Sequence, residues 1–208
     1  MTDLSISILV ETLEDANAIE RLHERTFGPG RFVRTAQRIR ERRQHILGLS
    51  FTAWVGTLLV GSARVTPVRI GSTPALLLGP LTVEPPFRGR GIARGLLDRT
   101  LNEARAAGHR LVVLVGDAPY YAASGFAVIP KGQITMPGPV DPGRLLVAEL
   151  VAGAFEGVKG QLRPAWEDDP DRCARPNVTG SADARVERAA RGGMRKAEIS
   201  QKVGAFAP

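Results

Sequence analysis

Apolar positions change their period several times along the first 130 residues, and each change predicts an element. Ile6, Ile8 and Val10 alternate with Ser5, Ser7 and Glu11, the two-residue period of a strand with one buried face. From Ala16 to Phe27 the period lengthens, and Ile19, Leu22, His23 and Phe27 share one helical face. Thr12-Leu13-Glu14-Asp15 leads into that helix and Gly28-Pro29-Gly30 stops it. A second, basic helix is expected over Phe32–Gln44, with Val33, Ala36 and Ile39 as a thin seam and Arg34, Arg38, Arg42 and Arg43 outward. Ser50–Val55, Leu58–Ile70 and Ala75–Val83 then read as an antiparallel meander with turns at Gly56-Thr57 and Gly71-Ser72, and Pro67 interrupts the middle strand. Ile92, Leu96, Leu97, Leu101 and Ala104 return to helical spacing. Leu111–Val115 is apolar at every position, as a strand buried on both faces is. Phe126–Ile129, Arg144–Leu150 and Gly160–Arg163 are expected to close the sheet.

The chain is organised around the junction inside Ala75–Ala107. A buried strand, broken by Gly79-Pro80, passes through Pro85-Pro86 into Arg88-Gly89-Arg90-Gly91 and then directly into a helix. Strand, glycine turn and helix N-terminus in that order form an anion cradle: glycine lets backbone approach a ligand, and the first helical amides have no partner in the helix. No G-x-G-x-x-G follows the strand and no Gly-Lys-Ser/Thr is present, so this is neither a dinucleotide fingerprint nor a P-loop.

Arg88, Gly91 and Ala93 occupy the key positions of Arg/Gln-x-x-Gly-x-Gly/Ala, and the stretch resembles the signature of the GNAT superfamily of N-acetyltransferases. A second stretch resembles another GNAT signature, tyrosine then three residues then Gly-Phe, at Tyr121, Gly125 and Phe126. The surrounding Gly116-Asp117-x-x-Tyr-Tyr looks like one bacterial branch of small acetyltransferases. The resemblance runs from about Ile6 to Trp166. It implies an α+β fold, a mixed, mostly antiparallel central sheet flanked by helices, with the strand around Leu81–Val83 splayed from Leu111–Val115. It implies acetyl-coenzyme A (acetyl-CoA) as cosubstrate: amides of Gly89, Arg90, Gly91, Ile92 and Ala93 on the pyrophosphate, and the strand edge of Leu81, Thr82 and Val83 on the pantetheine arm.

By the same resemblance, Tyr121 is the catalytic acid for the departing thiolate, Tyr120 being a structural neighbour. A phenol in that role titrates near pH ~10, and its loss costs turnover about 10²- to 10⁴-fold. A backbone amide near Val83 is expected to polarise the thioester carbonyl, with Gly79-Pro80 as a bulge. Arg88 and Arg90 are expected to add charge-assisted phosphate contacts; Arg94 faces solvent by spacing but is close enough in sequence to reach the 3′-phosphate. No general base stands out: Glu84 follows the strand, Glu24 and His23 lie on the first helix, Asp117 suits capping, and water is an alternative. The implied activity is transfer of acetyl to a primary amine of a small molecule in a ternary complex, as an acyltransferase for groups other than amino-acyl groups. A protein lysine or N-terminal acetyltransferase and a non-catalytic CoA-binding module are the alternatives. Relatives of this kind are often dimers, so a homodimer is a candidate, with no residue marking its interface.

Composition narrows this further. The chain's 208 residues, 43% hydrophobic, suffice for one core, read as a domain over 1–166, with a basic Gly/Ala/Arg-rich extension over 167–208 expected to be flexible. Residues 171–208 hold eight Lys or Arg against four Asp or Glu, so they supply +4 of the net +7. The remaining body is only mildly basic, enough for one coenzyme but short of a nucleic-acid face. With 5% aromatics and no stacking motif, nucleic acid is set aside as a partner. A single cysteine and three dispersed histidines make no disulfide and no metal motif. The N-terminus has no signal-peptide pattern, and the uncharged Ile46–Ala63 reads as a hairpin instead of a membrane span, so the expected location is cytoplasmic.

Overall fold

The computed structural model describes residues 5–28, 39 and 45–168. Strand β1 (Ile6–Val10) leads to helix α1 (Ala16–Phe27), then β2 (Phe51–Val55), β3 (Leu58–Ile70) and β4 (Thr73–Val83). Helix α2 (Ile92–Ala106), β5 (Leu111–Val115) and the short helix α3 (Ala118–Ala122) come next. Four strands finish the order: β6 (Ala127–Val128), β7 (Ile134–Thr135), β8 (Leu145–Glu149) and β9 (Gly160–Pro164). The helix expected over Phe32–Gln44 lies outside the described residues except for Ile39, which is buried, and the extension lies outside them from residue 169.

The sheet runs β1-β2-β3-β4-β5-β8-β6, with β9 pairing both the far end of β3 and β7. Only β4–β5 and β7–β9 are parallel among the described strands. This is the mixed, mostly antiparallel sheet that the sequence implies. Pro67 does not interrupt β3: it falls between Phe51-paired Ala63 and Pro164-paired Val68, where that edge needs no ladder bond. Short β7 and α3 were not expected.

Helices cover both faces. On one, Ile19 and Leu22 of α1 pack on Trp54 and Leu59. On the other, Ile92 and Leu96 of α2 pack on Phe51, Ala53 and Ala63, while Leu97, Leu101 and Ala104 pack on Leu76, Leu78, Val112 and Leu114. Leu77, Leu111 and Val113 point the opposite way, toward Ile39, Val68 and Leu162. Adjacent residues of β5 therefore enter different cores, which is why that strand has no polar position.

Between Ala63 and Val65 of β3 the partners on β4 jump from Leu81 to Leu78, so Gly79 and Pro80, joined by a cis peptide, stand opposite Arg64 alone. That is a β-bulge, and it bends and twists the strand that carries it. Before it, Leu76 and Leu77 pair with Val112 and Val113; beyond it, Leu81–Val83 stay on β3 while Leu114 and Val115 pair only with β8. The implied splay is present.

Arg64 is held by a residue that the alternation pattern misplaces. Alternation puts Glu11 toward solvent, yet it is only 3% exposed, just beyond β1. Its carboxylate accepts from Arg64 Nη2 at 2.7 Å and Nε at 3.0 Å, and from His45 Nε2 at 3.0 Å. Burial pushes the carboxyl up, and His45 and Arg64 more than offset it, so it sits below its ordinary 4.5. Folded protein therefore binds this proton less readily than unfolded chain: the stabilisation is complete above pH 4.5 and is lost as pH falls below it. Glu11→Gln should lower unfolding stability at neutral pH by about 3 kcal/mol, since it takes the buried carboxylate from the part-buried Arg64 guanidinium. Denaturant melts should show the gap to wild type closing as acid protonates Glu11. A variant as stable as wild type at neutral pH contradicts this account.

Candidate active site

The turn before α2 is built from two left-handed glycines, Gly89 at φ +75° and Gly91 at φ +76°. Nothing lies within 4 Å of where a Cβ on either would stand, so no protein clash demands glycine there; the backbone conformation does. Arg88 N–H donates to Pro85 O, and Gly95 N–H to Gly91 O. Between them, the six amides of Gly89 through Arg94 have no acceptor among the described residues. Six consecutive unpaired N–H groups at a helix start are a strong anion-binding surface.

The neighbouring strand end is equally specific. Glu84 N–H donates to Val60 O at 2.8 Å, so residues 60 and 84 are a hydrogen-bonded pair. Antiparallel bonding alternates, which makes Gly61–Val83 and Ala63–Leu81 non-bonded pairs. The amides of Leu81 and Val83 therefore face away from β3, into the space that β5 has vacated. Arg88 Nε reaches back to the Val83 carbonyl at 3.2 Å and ties turn to strand, leaving its two terminal nitrogens without a protein partner among the described residues.

Tyr121 comes to the same space from α3. Gly125 N–H bonds Ala122 O at 3.0 Å and Phe126 N–H bonds Tyr121 O at 3.3 Å, with Gly125 at φ +82°. These bonds are a Schellman helix end, and the ring of Phe126 packs edge-on against Tyr121, centroids 5.8 Å apart. The Tyr-x-x-x-Gly-Phe spacing thus has a mechanical reason. The Tyr121 hydroxyl donates to no protein group among the described residues. Burial, aided by Tyr120 and Asp117 and opposed by Arg144, pushes its phenol up to about 12.

One cavity of about 520 Å³ joins these parts. Leu81, Thr82 and Val83 line it from β4; Arg88, Gly89, Gly91, Ile92 and Ala93 line it from the turn; Tyr121 lines it from α3. Arg90, expected beside them, is exposed and does not line it, although its amide is free. Four lining residues carried no site motif in the sequence: Thr26 and Phe27 at the end of α1, Phe87, and Tyr120, which is 52% exposed. The hydroxyls of Thr26 and Thr82 are buried and unpartnered, the only polar side-chain atoms of that kind on this wall among the described residues.

The sequence profile described as an acetyltransferase (GNAT) domain matches residues 11–129, more than half of the chain. The chain belongs to the GNAT acetyltransferases. It is 29% identical over 155 residues to an uncharacterized N-acetyltransferase, YhbS of Escherichia coli K12, across 74% of this chain and 92% of that one. The crystal structure of E. coli YhbS in complex with CoA is similar in fold, with TM-score 0.69 and 24% identity over 81% of this chain and 94% of that one. A GNAT acetyltransferase of Brucella melitensis, solved in complex with acetyl-CoA, gives TM-score 0.52 and 27% identity over 73% of this chain and 98% of that one.

A GNAT reaction needs its acceptor amine deprotonated, and the structure places each base candidate off the cavity. Glu84 is engaged with Arg25 of α1, whose Nε lies 2.7 Å from it. His23 is buried against Ser62 Oγ at 3.2 Å. Glu24 is solvent-exposed. Asp117 pairs with Arg144 at 3.2 Å and caps α3 with its carbonyl, which accepts from the amides of Tyr120 and Tyr121. No carboxylate or imidazole among the described residues lines the cavity. Arg94 is exposed, as its spacing suggests, and lines the cavity; it also bonds Asp98 at 2.9 Å and the Ala123 carbonyl at 3.0 Å, bridging α2 to the end of α3.

An ordinary phenol is half ionised near pH ~10. Tyr121, held at about 12, should still be protonated there, which moves the alkaline limit anticipated from the sequence upward. At pH ~10 the phenolate absorbance of wild type and Tyr121→Phe should match; a deficit of half a tyrosine in the variant would show that the ring is not shielded.

Proposed function

We propose that this GNAT protein transfers the acetyl group of acetyl-CoA to a primary amine of a small molecule, by direct attack while both are bound. The observation that carries this reading is one cavity lined by five of the six residues with unpaired amides, an outward-facing strand edge and a free, protonated phenol. Acetyl-CoA supplies the activated acyl group as a thioester, and its thiolate leaves as the amide forms. Amides 89–94 and the free terminal nitrogens of Arg88 hold phosphate charge, and the N–H groups of Leu81 and Val83 pair the extended arm and polarise the acyl carbonyl.

Magnitudes favour one role for Tyr121. At about 12, its phenol lies roughly 3.5 pH units above an ordinary thiol, so full proton transfer to a thiolate costs about 5 kcal/mol. Hydrogen-bonding the developing charge is the favourable role, worth about 1.5–3 kcal/mol for a charged acceptor. Tyr121→Phe should therefore lower kcat by about 10²-fold, toward the low end of the sequence expectation, with acetyl-CoA affinity unchanged. With no base on the described walls, the amine's proton leaves through water. Rates should rise with pH toward the amine's own pKa, then level off without an alkaline limb below pH ~11.

Free-thiol release with a panel of amines, with intact-protein mass spectrometry for self-acetylation, tests the activity directly. Saturable acetyl-CoA binding with no release for any amine or protein acceptor would leave a binding module. In calorimetry, folded Gly91→Val should bind acetyl-CoA at least about 10²-fold more weakly, because a branched side chain at φ +76° is strained and stands where the ligand must approach. Unchanged affinity in that variant removes the turn from the site.

A further inference from the structure

We infer that Gly116 is a positioning residue, whose missing side chain sets where the Tyr121 hydroxyl stands. The inference rests on the role just proposed for Tyr121. A Cβ built on Gly116 would lie 2.3 Å from Cε2 and 2.9 Å from Cδ2 of the Tyr121 ring, and 3.0 Å from Leu114 Cδ1. Gly116 is not among the left-handed glycines, so φ gives no reason for glycine there; the ring does.

Both partners are constrained. Gly116 N–H is bonded to the Arg144 carbonyl at 2.9 Å, which fixes its backbone against the strand next to it. The Tyr121 ring is bounded by Phe126 at 5.8 Å and Tyr120 at 4.9 Å between centroids, both edge-on. The ring also packs on the core between α2 and β5, and it lines the cavity, where it has room to move. A methyl on Gly116 must therefore drive the ring about 1 Å into the cavity to reach ordinary van der Waals separation. Cε2 adjoins the carbon bearing the hydroxyl, so the oxygen moves with it. A misplacement of about 1 Å costs on the order of 10²-fold in a positioned reaction.

Kinetics of Gly116→Ala, Tyr121→Phe and the double variant test this. Gly116→Ala should lower kcat about 10²-fold with the KM for acetyl-CoA nearly unchanged, and should cost nothing further in the Tyr121→Phe background, where no hydroxyl remains to misplace. In a Tyr120→Phe background, where burial is the main cause left raising the remaining phenol, adding Gly116→Ala should lower its titration further toward ~10, because the ring has left its burial. Normal kcat with an unmoved titration overturns the inference, and so does an equal loss in both Tyr121 backgrounds. A moved titration with unchanged kcat, together with a fully active Tyr121→Phe, upholds the placement and overturns the role proposed for Tyr121. Should Gly116→Ala not fold, Gly116→Ala/Tyr121→Ala removes the ring that the methyl meets and should fold; failure of both places the need for glycine elsewhere and overturns the inference.

Discussion

Two residues of β4, Gly79 and Pro80, occupy the space opposite one residue of β3, and this mismatch shapes the whole cleft. A regular ladder would keep β4 against β5 along its whole length. The extra residue turns β4 away after Leu77 and leaves the outward amides of Leu81 and Val83 facing a cleft. The same turn aims the chain into Pro85–Phe87 and the start of α2, so five of the six residues with free amides, all but Arg90, line that cleft. Arg64, the single residue opposite the bulge, is clamped by Glu11 and lies 3.5 Å from Glu20, which couples the bulge to β1 and α1.

The cavity wall then divides by polarity. The turn side is main chain and arginine, suited to phosphate. The far side is Phe27, Phe87 and the two tyrosines, where low polarity keeps a phenol neutral and strengthens any hydrogen bond that it donates. Carboxylates that would compete with phosphate are absent from the described wall, and Glu84, next in the chain to Val83, is paired with Arg25.

Much of this was legible in the sequence. Alternation and helical period placed α1, α2 and the β2–β4 meander, because each buries one face of fixed geometry. The glycine turn and Tyr-x-x-x-Gly-Phe were legible because both encode backbone conformations, left-handed turns at Gly89, Gly91 and Gly125. Single side chains without a repeat were not. Glu11 continued a polar alternation and gave no sign of its burial, which depends on Arg64, 53 residues away. Thr26 and Phe27 read only as the end of a helix face, and Tyr120 as the neighbour of Tyr121, because their place on the cavity wall depends on how α1 and α3 dock. The link from Gly116 to Tyr121 is a matter of one contact distance and has no sequence signature at all.

The central claim is that the free amides after β4 receive the coenzyme, and residue-resolved hydrogen exchange measures those amides themselves. Without ligand, Gly89–Arg94 have no acceptor among the described residues and should exchange fast. Saturating acetyl-CoA should slow them, together with Leu81 and Val83, by at least about tenfold, while the β3–β9 ladder stays unchanged. Unaltered exchange at Gly89–Arg94 under saturation, or protection appearing in another part of the chain, would contradict the account.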